Sequence, residues 1–129
     1  MPGFKTALLG YFEQVHTRRY IDAVEASEAV TARDKLDLLR DAVVDADSEA
    51  DLEVAIRAWA IHDEQARAAK ERVDRTRLGY LRDLWFEISG DETESAHMAN
   101  LLYVILLGAG NVLPPIAPDE VRELYRRVL

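Results

Sequence analysis

The chain has 129 residues, 49% hydrophobic and 31% charged, with a formal net charge of −8 and no cysteine. That balance describes one globular domain able to bury about two-thirds of its unfolded surface, and it excludes wholesale disorder. The acid excess argues against a chain that binds a phosphate backbone unaided, and the missing cysteines exclude disulfides and thiolate metal sites.

Glycine (6) and proline (4) are scarce, so turns are few. The expected fold is all-α: an antiparallel bundle of about six helices forming a single domain over 1–129. Met1 to Gly10 runs into polar Tyr11, Glu13 and Gln14, which is not the pattern of a signal peptide. The longest apolar run, Leu101 to Ala109, falls far below the roughly 18 residues a membrane span requires. With no cysteine, these features fit a cytoplasmic protein that does not enter a membrane.

A first helix is expected from about Lys5 to Ala26, with Leu8, Phe12, Val15 and Val24 near one face. Thr31 is placed to cap a short second helix carrying Leu36, Leu39 and Val43, and Asp34 stands where a capping-box acid would. Asp45 to Ser48 reads as a turn, and Asp47 or Ser48 can cap the third helix. There Leu52, Ala55, Ile56, Trp59 and Ala60 fall at i, i+3, i+4, i+7 and i+8, the stripe of a helix that buries one face.

This third helix should stop near His62, where Asp63 can cap a fourth from about Glu64 to Ile88. Val73, Tyr80, Leu81, Leu84 and Ile88 make its apolar stripe, and Gly90 suits the left-handed position that closes it. Arg77 breaks the stripe. Asp74, three residues earlier, is the obvious local partner. A charge on a face due for burial suggests that a second polar surface meets this helix, one from another subunit being an option.

Asp91-Glu92-Thr93 opens a fifth helix to about Gly108, apolar almost all round from Met98 to Leu107. A helix apolar on every side must be buried on every side. A subunit interface achieves that, and a central core helix in a monomer is the alternative. After a loop over 109–117, Pro118 suits the first position of a last helix carrying Val121, Leu124, Tyr125 and Val128.

The run Arg57-Ala58-Trp59-Ala60, Asp63, then Val73-Asp74, Arg77, Tyr80-Leu81 and Gly90 resembles the C-terminal domain of the tetracycline-repressor (TetR) family of bacterial transcriptional regulators. The opening Phe4-Lys5-Thr6-Ala7-Leu8-Leu9 is similar to the segment that follows the DNA-reading helix in that family. The resemblance covers nearly the whole chain and begins where the DNA-binding domain has just ended. It implies a helical domain that binds a small effector and forms a homodimer, with DNA reached only through an absent N-terminal helix-turn-helix. The dimer interface would be a four-helix arrangement of 64–88 and 93–108 from each subunit. Asp74, Arg77, Tyr80, Leu84, Leu101 and Ile105 are its candidate residues, Asp74 of one subunit reaching Arg77 of the other.

Two Glu-x-x-His pairs, Glu13/His16 and Glu94/His97, have the i, i+3 spacing of di-iron bundles. That signature needs two further inward glutamates, and Glu53, Glu64, Glu71 and Glu87 adjoin predicted solvent faces, so no metal or cofactor is expected. With no phosphate loop or nucleophile elbow either, catalysis is the minority reading. His16, Trp59, His62, Asn100 and Tyr103 lie on or beside apolar stripes, as in pockets for small apolar or aromatic effectors, although each could equally be a satisfied core residue. The functional expectation is the ligand-sensing and dimerisation domain of a TetR-like regulator. Two alternatives stand beside it: a stand-alone helical dimer that binds a small molecule or protein without DNA, and a metal-dependent helical-bundle enzyme.

Overall fold

The computed structural model describes residues 2–44 and 47–129, excluding the side chains of residues 2, 16 and 47–51. Among the described residues all regular structure is helical: α1 (Pro2–Gly10), a π-helical stretch (Tyr11–His16), α2 (Thr17–Glu25), α3 (Ala32–Val44), α4 (Asp47–Ala60), α5 (Glu64–Ser89), α6 (Glu92–Asn111) and α7 (Pro118–Val128). The first three run on without a break, so the elements make six rods in an all-α bundle. No described helix is long and apolar enough to cross a membrane.

Local chemistry sets most of the boundaries. The Thr31 hydroxyl accepts the Asp34 N–H at 3.1 Å, Asp63 accepts the Ala66 N–H at 3.0 Å, and Asp91 accepts the Glu94 N–H at 2.9 Å. Each fills one of the donors a helix start leaves open. Gly90 takes φ 70°, closing α5 in the left-handed conformation that costs glycine nothing. The short Gly90-Asp91 link then folds α6 back against α5, the most extensive helix pairing among the described residues. Asp45, Ala46 and the side chains expected to cap α4 lie outside the described residues.

The first rod departs from the regular helix expected over Lys5 to Ala26. Between Tyr11 and His16 it widens to π geometry, and both the N–H and the hydroxyl of buried Thr17 donate to the Phe12 carbonyl. That pairing skips one residue more than an α-helix does, a local insertion that hydrophobic periodicity does not reveal.

α5 is the spine of the bundle. Ala66, Ala69 and Val73 in its first half pack with Leu9, Phe12 and Ile56. Leu84 and Trp85 in its second half join Ala32, Leu36, Val44, Leu102, Val121 and Tyr125. Arg77 lies between these two clusters along the helix.

Two orientations differ from expectation. In α4, Ile56 is fully buried, but Ala55 and Trp59 are exposed, and Glu53 and Arg57 are partly buried instead. The helix is turned about its axis relative to that expectation, and Glu53 faces inward to pair with Arg77. α6 is not covered all round either: Ser95, Ala99, Leu102, Tyr103 and Ala109 are buried, whereas Leu101 and Val104 remain 40% and 64% exposed.

Candidate functional site

Arg77 centres a polar network in the middle of the bundle. Its Nη1 donates to Glu53 Oε1 and to the Tyr103 hydroxyl, the latter at 3.2 Å. Tyr103 in turn donates to Asp74 Oδ1 at 2.5 Å, and Lys70 Nζ donates to the same oxygen. Lys70 also sits 5.7 Å from the Tyr103 ring centre, and Arg77 lies 5.8 Å from that of Phe12, both within cation–π range.

This arrangement corrects the Asp74–Arg77 pairing. Asp74 does not bond Arg77 directly; the Tyr103 hydroxyl stands between them, and the counter-charge of Arg77 is Glu53 on α4 of the same chain. The polar surface that meets α5 is therefore internal. Arg77 and Glu53 keep only 15% and 17% of their side-chain surface, so each is costly to leave alone. Burial disfavours the Arg77 charge, but Glu53 and Tyr103 more than offset it and its pKa is raised. Burial above all, with the bond to Asp74, pushes the Tyr103 phenol up, against the opposing pull of Arg77. Tyr103 is thus a neutral hydroxyl that both accepts and donates.

Beside the network opens a cavity of about 470 Å³, lined from α2 through α7. Its walls are mostly aliphatic, with Ile21, Leu36, Val43, Leu81, Leu102, Leu106 and Val121 among them, and Pro115, Ile116 and Ala117 of the α6–α7 loop contribute one side. Arg77, Glu53 and Tyr103 supply a polar wall, and Arg40 and Arg57 also line the space. Tyr80 and Tyr125 reach it too, but their hydroxyls are engaged: Tyr80 donates to Glu25 at 2.7 Å and Tyr125 to the Leu102 carbonyl at 3.1 Å. A mostly apolar space of this size with a few fixed polar groups can hold and orient a small organic molecule.

Of the residues expected around a ligand, Tyr103 lines the cavity. Trp59, His62 and Asn100 are exposed and lie outside it, and the side chain of His16 is outside the described residues. The candidate interface set also divides. Arg77 and Tyr80 line the cavity, Asp74 belongs to the network, and Leu84 is buried in the domain's own core. Ile105 packs partly buried against that core, which leaves Leu101 as the member facing outward.

Glu53 and Arg57 are among the lining residues that sequence reasoning missed. A trace of them was visible: Arg77 on an apolar stripe calls for a buried carboxylate, and Glu53 and Arg57 flank Ile56 on α4. The metal pattern gains no partners. Glu13 receives Arg72 Nη2 at 3.0 Å, Glu94 and His97 are exposed, and no group of three or more metal-ligating side chains converges among the described residues. No protein-family model, curated protein or solved structure matches the chain.

Proposed function

We propose that this chain is the ligand-sensing and dimerisation domain of a TetR-like regulator, and that its ligand occupies the cavity between α2 and α7. The observation that carries this reading is the cavity itself, about 470 Å³ of mostly apolar space inside a domain of only 129 residues. The regulator part rests on the resemblance over Arg57 to Gly90. DNA contact would come only through a separate helix-turn-helix, since these residues carry a net charge of −8 and no basic stripe. A homodimer is part of the proposal, formed by the outer faces of α5 and α6. Exposed Leu101 and Val104 support it, because an apolar helix face left open in one copy is suited to a two-fold contact with another.

A thermal-shift screen with neutral aliphatic and aromatic compounds tests the cavity. A ligand present at about 100 times its Kd adds about 2.7 kcal/mol of stability, enough to raise Tm by several degrees. Leu106 lines the cavity and is only partly buried, so Leu106→Trp should fill the space without breaking the core. The stabilisers found with the natural chain are expected to lose their effect on Leu106→Trp. A screen without stabilisers, or stabilisers that act equally on Leu106→Trp, would contradict the cavity as the binding site.

A further inference from the structure

The charged side chains that line the cavity are Arg40, Glu53, Arg57 and Arg77: three guanidinium groups and one carboxylate, in a chain whose net charge is −8. A cavity of opposite sign to the protein around it favours an anion, because low-dielectric walls strengthen the field of whatever charges they carry. The three arginines are not equivalent. Arg77 is saturated by Glu53 and Tyr103, and a ligand that took it would leave Glu53 buried without a counter-charge. Arg40 is held by Asp37 and Asp41 on its own helix, at 3.4 Å and 3.2 Å.

Arg57 differs from both. Its natural helical partner is Glu53, four residues earlier on α4. Arg77 takes that carboxylate, and among the described residues Arg57 has no ion pair. It is half-buried and lines the cavity, whose walls also include aliphatic Val43, Val54 and Leu81. A guanidinium offers a rigid fork of donors matched to a planar carboxylate.

From these features we infer that the ligand is an amphipathic carboxylic acid, whose carboxylate pairs with Arg57 and whose apolar body fills the space toward Leu102, Leu106 and Val121. At roughly 30 Å³ for each water-sized group, the cavity admits about 15 non-hydrogen atoms. That suits a medium-chain alkanoic or aryl-alkanoic acid. The inference rests on the proposed ligand-sensing role, and it adds the chemical class of what is sensed.

Decanoate and decylamine below their micelle-forming concentrations and 1-decanol below its solubility limit, all at neutral pH, separate the possibilities by isothermal titration calorimetry against the whole chain. The ionised acid leaves water less readily than the alcohol, so an acid that binds more tightly must be gaining from a cation. The expected result is decanoate binding about tenfold more tightly than decanol, with decylamine weakest. Arg57→Gln should remove the preference for the acid, bringing the ratio of decanoate to decanol affinity down to one or below. Arg57 is half-exposed and contributes to no described ion pair, so this variant keeps its fold, which circular dichroism checks. If decanol binds but decanoate has no advantage, or keeps its advantage in Arg57→Gln, the acid assignment is wrong and the apolar pocket stands. If none of the three binds, the pocket reading falls with it.

Discussion

Arg77→Ala is expected to lower the unfolding free energy by about 3 kcal/mol, the size of effect seen when one partner of a buried ion pair is removed. The loss comes from Glu53, which keeps 17% of its side-chain surface and would be left buried without its counter-charge. Tyr103 would lose the donor that orients its hydroxyl toward Asp74. For a domain of this size that change lowers Tm by roughly 10 °C. Replacing both partners at once, as in Arg77→Met with Glu53→Leu, should recover much of the loss, since two apolar side chains leave no charge to strand. Urea denaturation of the two single variants and the double variant measures this directly. A loss for Arg77→Ala no larger than about 0–1 kcal/mol, typical of a surface pair, would show that the network is not buried in solution.

The second large effect concerns association. Val104, 64% exposed, stands on the outer face of α6 with Leu101 one turn before it, while Leu102 and Tyr103 point into the domain. In a two-fold contact the same patch meets itself, so one substitution enters the interface twice. Val104→Glu would place two carboxylates close together in a desolvated contact, where like charges cost several kcal/mol. The natural chain is expected to be a dimer at micromolar concentration, and Val104→Glu a monomer with unchanged helical content. Multi-angle light scattering decides the matter: a monomeric natural chain, or a Val104→Glu protein that stays dimeric, overturns the interface. Ile105 is a poorer probe, because it packs against the domain's own core and a charge there would disturb folding as well as association.

The starts of α3, α5 and α6 and the end of α5 were legible because they depend on neighbours in the chain, whereas α6 runs on to Asn111, past the stop expected near Gly108 and into the loop expected over 109–117. Thr31, Asp63 and Asp91 cap through N–H groups three residues on, and Gly90 closes α5 through its own dihedral. The facing of α4 was not legible. Hydrophobic spacing favoured Ala55 and Trp59 as inward positions, but both are exposed, and the face of α4 that carries Glu53 turns to Arg77 instead. That choice depends on a residue on another helix, which no local period encodes. Once α4 is turned, His62 and Trp59 leave the site and Arg57 enters it. Arg77 shows the same limit from the other side. The sequence correctly marked it as a charge facing inward, but it could not say whether the carboxylate awaiting it belonged to this chain or to a second copy.

Methyl-detected NMR of the whole chain, titrated with 1-decanol and then with decanoate, tests the central claim that this domain holds a small molecule inside its bundle. The predicted result is a saturable set of shifts centred on Leu36, Leu102, Leu106 and Val121, the aliphatic walls of the cavity. Shifts confined to Leu101 and Val104 on the outer face of α6, or no saturable shifts at all, would contradict it.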